Sequence, residues 1–173
     1  VNRISMGVES SDDNLLRIMN RKYDFDLVKE KIALIKKGGI NNISVDLMYS
    51  LPFQTMDILK KTLDDILSLD VPHISIYSLT IEENTMFNRK CYDHLDEDVE
   101  ADMYEYIEER LKDYNHYEVS NYCKEDRHSR HNLGYWKYDD FIGLGPGASS
   151  KVNNHRYTYT KNVRNYINKK DLL

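Results

Sequence analysis

Cysteine, glycine and proline are all scarce in this chain of 173 residues. The two cysteines, Cys91 and Cys123, form neither a disulfide framework nor a CxxC metal site, so we expect a reducing compartment, the cytoplasm. Two thiols by themselves also cannot hold an iron–sulfur cluster. Seven glycines and three prolines are too few for a flexible linker protein.

Long apolar runs are missing as well. No stretch approaches the roughly 18 consecutive apolar residues of a transmembrane helix. The first residues, VNRISMGVES, do not have the composition of a signal peptide. The sequence therefore predicts no membrane span.

An excess of basic residues is also lacking, since 24 Lys and Arg stand against 29 Asp and Glu, a formal charge of −5. This balance excludes a bulk phosphate-neutralising surface. The 14 tyrosines are not interleaved with basic runs, so nucleic-acid binding is not predicted. A hydrophobic fraction of 40% excludes a disordered chain, and the length predicts one domain with a short appendage.

What is present is an alternation of strand and helix patterns. Short apolar segments at 3–8, 42–49 and 73–79 predict buried strands, and the amphipathic segments between them predict helices. This alternation is typical of βα units in a parallel sheet. The carboxyl ends of such strands share one edge, where chemistry takes place in barrel-type α/β proteins. Three strands cannot close a barrel.

The pattern changes after residue 81. The segment 96–114 predicts an acidic amphipathic helix, and 116–122 predicts one strand. An aromatic turn or short helix is expected at 131–138, followed by a glycine-rich tight turn at 143–147. The tail, 156–173, predicts a polar strand and the start of a helix.

Polar side chains at the predicted strand ends are candidates for binding. Glu9 follows the first strand and Asp46 lies just before the end of the second, where carboxylates can accept hydrogen bonds from a ribose diol or an ammonium group. Arg21 could hold a carboxylate with its guanidinium fork. The alternatives are a satisfied polar residue in a strand for Asp46 and a surface salt bridge for Arg21.

A second candidate group contains His131, Tyr135 and Trp136. An imidazole between large rings could bind a flat macrocycle, because haem iron often takes an axial histidine. The alternative is a core histidine packed beneath aromatic rings. No HExxH, Walker or nucleophile-elbow motif is present.

Several segments in matching order and spacing resemble one family, the radical S-adenosylmethionine proteins of the oxygen-independent coproporphyrinogen III oxidase-like group, and within it the HemW or haem-chaperone branch. The HNxxYW string is similar to what this branch carries and the true oxidases lack. The segments are RISMGVES at 3–10, NR at 20–21, DLMYSLPFQT at 46–55, HISIYSLTIE at 73–82, HNLGYW at 131–136 and IGLGPGAS at 142–149.

The resemblance implies a partial (βα)6 barrel, its second half with three parallel strands, followed by a HemN-type α+β region. The barrel half is expected at 1–95 and the start of the next region at 96–173. The family's CxxxCxxC loop, which binds a [4Fe-4S] cluster, would lie before RISMGVES. We therefore expect a fragment that lacks the cluster cysteines and has no radical chemistry by itself.

The resemblance also assigns residues to S-adenosylmethionine. Arg21 would lie near its methionyl carboxylate and Asp46 near its ribose, while Thr80 and Ser149 fall at positions that line the same cofactor. Glu9 stands where the family usually has Gln, which retains an acceptor but loses the amide donor. Ser149 itself replaces a usual His, and Ser50 replaces a usual Gly.

The expected function is that of a cytoplasmic haem chaperone, which binds haem, with His131 as a candidate contact, and passes it to acceptor proteins with peripheral membrane contact. One alternative is an oxidase that decarboxylates porphyrinogen propionates, against which HNLGYW argues. The other is an inactive fragment.

Overall fold

The structure is a computed structural model that describes residues 1–169. The last four residues of the predicted tail, 170–173, lie outside the described part. By contacts the chain forms two compact units, one from Val1 to His128 and one beginning at Ser129.

Three parallel strands and their helices begin the first unit, as the βα pattern predicts. Helix starts follow the sequence closely, because the side chains of Asp12, Asp24 and Thr55 accept hydrogen bonds from backbone N–H groups of the first turns. The strands are β1 (Ile4–Glu9), β2 (Ile43–Tyr49) and β3 (His73–Ser78), and the helices are α1 (Asp13–Ile18), α2 (Phe25–Lys37) and α3 (Met56–Ser68).

The next segment completes the same sheet. After the short α4 (Met86–Arg89) and the long α5 (Glu97–Arg110), two strands form a hairpin, β4 (Asn115–Glu118) and β5 (Asn121–Cys123). The single strand predicted at 116–122 is therefore wrong, because the chain reverses after Glu118. Strand β5 pairs antiparallel with β3, and the sheet order is β1-β2-β3-β5-β4.

This hairpin moves the division of the chain. The sequence placed a boundary after residue 95, whereas the contacts include 96–128 in the first unit. The reason is that α5 buries Met103 and Ile107 in the same hydrophobic cluster as the parallel strands. Where the barrel meets the following region of the family stays a prediction.

The two faces of the sheet differ in polarity. One face carries Val45, Leu47 and Ile74 into a hydrophobic cluster with Leu63 and Ile107 of the helices. The strand alternation gives the other face polar side chains. These are Ser5, Ser44, Asp46, His73, Ser75 and Asn121.

The second unit is small. It contains α6 (Arg130–Trp136), the antiparallel strands β6 (Ser149–Val152) and β7 (His155–Thr158), and α7 (Val163–Ile167). Asn153 and Asn154 connect the two strands with φ values of 50° and 64°, the left-handed conformation of a two-residue hairpin turn. None of the described helices is both long and apolar enough to cross a membrane.

Candidate functional site

The carboxyl end of β1 places Glu9 at a bulge. Gly7 is opposite Asp46 in β2, but Glu9, not Val8, is opposite Leu47. Val8 is fully buried, and Glu9 has φ 61°. This turn brings the Glu9 carboxylate to the side of Gly7, where a Cβ atom would lie 2.9 Å from Glu9 Oε1. The bulge therefore places a carboxylate on the polar face of the sheet.

Arg21 meets this carboxylate. Its Nη2 lies 2.6 Å from Glu9 Oε1, and the side chains are 46% and 12% exposed. Burial raises the pKa of Glu9, as does the charge of Asp46, while Arg21 opposes the rise. The pair thus combines an acid that is costly to ionise with a guanidinium that stays accessible to solvent.

Tyr23 holds the segment that carries Arg21, a link that no pattern in the sequence indicates. Its hydroxyl donates to the carbonyl oxygens of Gly7 at 3.0 Å and Val8 at 3.3 Å. The connection between α1 and α2 is therefore fixed to the end of β1. This fixes Arg21 beside Glu9.

Asp46 lies one strand away. It accepts a hydrogen bond from Ser5 Oγ, at 3.3 and 3.4 Å to its two oxygens, and it is half-buried. Gly7 stands opposite it, and the Glu9 carboxylate occupies the space that a Cβ atom of Gly7 would need. Thr80, just after β3, is exposed. The structure places Glu9 and Asp46 on adjacent strands with Arg21 beside Glu9, a set that offers one cation and two carboxylates.

Ser50 follows β2 in a backbone conformation that is unusual for serine. Its φ of 58° is the left-handed conformation that favours glycine, the residue that the family resemblance leads us to expect here. Its Oγ donates to Glu100 Oε2 at 2.7 Å. The hydroxyl therefore links the end of β2 to α5.

His73 is a buried residue that sequence reasoning missed. Its Nδ1 lies 2.7 Å from Ser44 Oγ and its Nε2 lies 2.7 Å from Tyr117 OH. Burial, helped by the charges of Arg3 and His128, lowers its pKa to about 3. The ring is therefore neutral and connects three strands of the polar face.

The second unit holds the other candidates. His131 on α6 is exposed, so the alternative of a buried core histidine is wrong. Its Nε2 lies 2.9 Å from Tyr135 OH, and the two rings are 4.8 Å apart in an edge-on arrangement. Tyr135 meets Phe141 in the same way, at 4.8 Å and 89°.

A cleft of about 600 Å³ lies beside these rings. Ser149 lines it and shares a hydrogen bond of 2.9 Å with Thr158. The glycine-rich loop before Ser149 forms the expected tight turn, with positive φ at Gly145 and Gly147. The cleft is lined by Tyr135, Tyr138, Asp139, Phe141, Ser149, Lys151, Asn154 and Arg156.

Metal ligands are not grouped in the part of the chain that the structure describes. Within residues 1–169 no three His, Cys, Asp or Glu side chains are placed to hold a metal ion. Cys91 is exposed, Cys123 is buried, and both are free thiols. These residues do not fit a [4Fe-4S] cluster.

Comparisons with known proteins agree with this architecture. The family model of the Radical SAM superfamily matches residues 1–66. The chain is 40% identical over 173 residues to the Heme chaperone HemW of Lactococcus lactis, covering 96% of this chain and 46% of that protein. The HemW of Bacillus subtilis is 36% identical with the same coverage. The HemW of Escherichia coli is also 36% identical, over 88% of this chain and 41% of the relative.

A solved structure shows the fold. Coproporphyrinogen III oxidase HemN of Escherichia coli, described as a radical SAM enzyme, superposes with a TM-score of 0.82 over 99% of this chain and 44% of its own, at 16% identity. The expected partial radical SAM barrel with its α+β continuation is thereby confirmed. The chain is accordingly a homologue of the HemW proteins with a match to the Radical SAM superfamily over residues 1–66, and it spans just under half the length of the relatives that it matches.

Proposed function

We propose that this chain is part of a HemW-like protein that binds haem and delivers it to acceptor proteins. The observation that carries the proposal is the identity of 40% to a protein named as a haem chaperone, over 96% of the chain. The HNLGYW segment supports it, because it lies on α6 beside an aromatic cleft. The likeness to HemN, at 16% identity, concerns the fold and does not favour the oxidase.

We infer that the first unit contributes Glu9, Arg21, Asp46 and Thr80 to a site for S-adenosylmethionine. The role of Ser149 stays a prediction of the family resemblance. The described residues suit this cofactor, since a guanidinium and two carboxylates lie near the ends of β1 and β2. The cofactor would supply radical chemistry together with a cluster held by other ligands.

Three of these residues have a definite task in the proposed site. Arg21, whose guanidinium already binds a carboxylate, would hold the methionyl carboxylate. Asp46 would accept hydrogen bonds from ribose hydroxyls. Glu9 would accept from the ammonium group, and its raised pKa makes a nearby cation favourable because a cation stabilises the ionised form.

The cellular compartment of the protein is part of the same proposal. Two free cysteines are typical of proteins from a reducing compartment, so we place the protein in the cytoplasm. Peripheral membrane contact would then bring haem to membrane-bound acceptors.

Haemin titration followed by absorbance tests the haem proposal. We expect a saturable shift of the Soret band with the natural chain. Replacement of His131 by Ala should change the position of that band and weaken binding about tenfold or more, because an iron ligand is lost. His155→Ala is the matched control, since His155 is another exposed histidine of the second unit. Without any saturable Soret shift the haem proposal fails, and an unchanged spectrum in His131→Ala removes the role of the histidine alone.

A further inference from the structure

The charge of the chain is divided unevenly between its two units. Residues 129–173 contain eight Lys or Arg and three Asp or Glu, a formal charge of +5. The whole chain carries −5, so residues 1–128 carry −10. A basic unit within an acidic chain attracts anions to itself.

The cleft of the second unit combines flat apolar walls with cations. Tyr135, Tyr138 and Phe141 supply the rings, and Lys151 and Arg156 supply the positive charge. Aromatic faces bind planar conjugated molecules, and guanidinium groups bind carboxylates. A volume of about 600 Å³ is in the range of cofactor sites.

Two like charges face each other on the strands that line this cleft. Lys151 of β6 is directly opposite Arg156 of β7, and side chains at opposite positions of an antiparallel pair lie on the same face. Like charges so placed destabilise a sheet. A bound anion would remove this repulsion.

The two cations are not equally available. Lys151 is 13% exposed in its side chain, donates to the carbonyl oxygen of Tyr138 at 2.6 Å and lies 3.3 Å from Asp140 Oδ1. Its position is therefore fixed by the protein. Arg156 is exposed and forms no ion pair with any residue in the described range, so its fork can turn to a ligand.

We propose that this cleft binds the carboxylate-bearing edge of a planar tetrapyrrole, with Arg156 as the principal contact and Lys151 as a fixed second cation. This inference rests on the proposed haem function and names how the ring is recognised. Tyr135 both lines the cleft and contacts His131, so carboxylate binding and the proposed iron contact involve neighbouring side chains. Asp139 also lines the cleft, and its carboxylate would repel a ligand that placed a negative charge next to it.

Comparison of haemin with haemin dimethyl ester tests the proposal, because esterification removes both carboxylates and retains the iron and the ring. We expect the natural chain to bind haemin about tenfold or more tightly than the ester, the effect of losing a charge-assisted hydrogen bond. Arg156→Gln should lose most of this preference. Arg164→Gln, an exposed arginine of α7 outside the cleft, should keep it.

The outcomes separate this inference from the function on which it rests. Equal affinity of the natural chain for haemin and its ester overturns the carboxylate site while haem binding itself stands, and this comparison needs no variant to fold. A preference that persists in Arg156→Gln, with an unchanged thermal unfolding curve, excludes Arg156 as the principal contact. If haemin does not bind the natural chain at all, the proposed function fails together with the inference.

Discussion

At the scale of single residues, Glu9 shows how a local backbone feature sets an electrostatic cost. Its carboxylate is 12% exposed and has one cation, Arg21, at 2.6 Å. Burial is the largest cause of its raised pKa, so desolvation outweighs the attraction of Arg21. Its ionised form is therefore less stable in the folded chain than in the unfolded one.

We predict that Glu9→Gln raises Tm at pH 7. A folded pKa above the unfolded pKa means that the favourable contribution of Glu9 is complete below the unfolded pKa and is lost as pH rises through the folded pKa. As pH rises the natural chain loses this contribution, whereas Gln carries no charge to desolvate. The rise in Tm should be roughly 1–3 °C. The substitution removes the desolvation cost of the carboxylate, and the lost ion pair costs little because its partner is exposed.

Thermal unfolding between pH 4 and pH 8 checks this prediction. The difference between the two proteins should shrink towards pH 4, where Glu9 is protonated. Glu83→Gln, at an exposed position after β3, should change Tm little across the range. A lower Tm for Glu9→Gln at pH 7 would show that the ion pair with Arg21 outweighs desolvation.

The sequence predicted which residues stand at this edge, but not how they interact. Glu9 and Asp46 follow from strand alternation, because each lies near the end of an apolar run. The pairing of Glu9 with Arg21 depends on a bulge and on the Tyr23 hydroxyl, and neither leaves a pattern in the sequence. Likewise HISIYS predicts a strand, but not the hydrogen-bond partners of His73. These partners are Ser44 and Tyr117, which lie 29 and 44 positions away in the sequence.

At the scale of elements, His73 joins strands that lie far apart in the chain. Its ring lies in β3 and shares one hydrogen bond with Ser44 in β2 and another with Tyr117 in β4. The ring is 1% exposed and neutral. Protonation would place a charge in the centre of the polar face.

We predict that this histidine makes the first unit sensitive to acid. Because its folded pKa, about 3, lies below the unfolded value of about 6.5, the unfolded chain binds the proton first. The free energy of unfolding should therefore fall by up to about 1.4 kcal/mol for each pH unit below 6.5, until pH approaches 3. Urea unfolding at a series of pH values measures this slope.

The matched variants for this measurement are His73→Gln and His94→Gln. His73→Gln should be less stable at pH 7, because it cannot reproduce both hydrogen bonds, and its stability should change less between pH 6.5 and pH 4. His94 lies at an exposed position before α5, so its replacement should leave the slope unchanged. The same steep slope in His73→Gln would place the sensitivity elsewhere.

Element boundaries were predictable where a side chain marks them. Asp12, Asp24 and Thr55 have side chains that accept hydrogen bonds from first-turn N–H groups, and such residues are typical of helix starts. The β4–β5 hairpin was not predictable, because strands of four and three residues are too short to show alternation. The hairpin and α5 both belong to the first contact unit, while the end of the barrel stays a prediction.

At the scale of the whole molecule, β1 is one of the two edge strands of the sheet in the described residues, and β4 is the other. Within the described residues β1 pairs with β2 and with no other strand. The Ile4 N–H donates to the Asn42 carbonyl oxygen at 3.0 Å, so by alternation the Ser5 N–H points to the opposite edge. An exposed strand edge of this kind is a template for pairing with another chain.

We therefore predict that the isolated chain self-associates through β1. Ser5→Pro removes the outward N–H and should convert the chain towards monomers, because proline is tolerated on an edge strand where its nitrogen faces solvent. Ser5→Ala is the matched control, since it loses the same hydroxyl contact with Asp46 but retains the N–H, and it should associate like the natural chain. Sedimentation velocity over a range of concentrations measures the distribution of species. A natural chain that stays monomeric at every concentration, with a cooperative melt, would mean that the polar face and the β1 edge are stable in water without a partner strand.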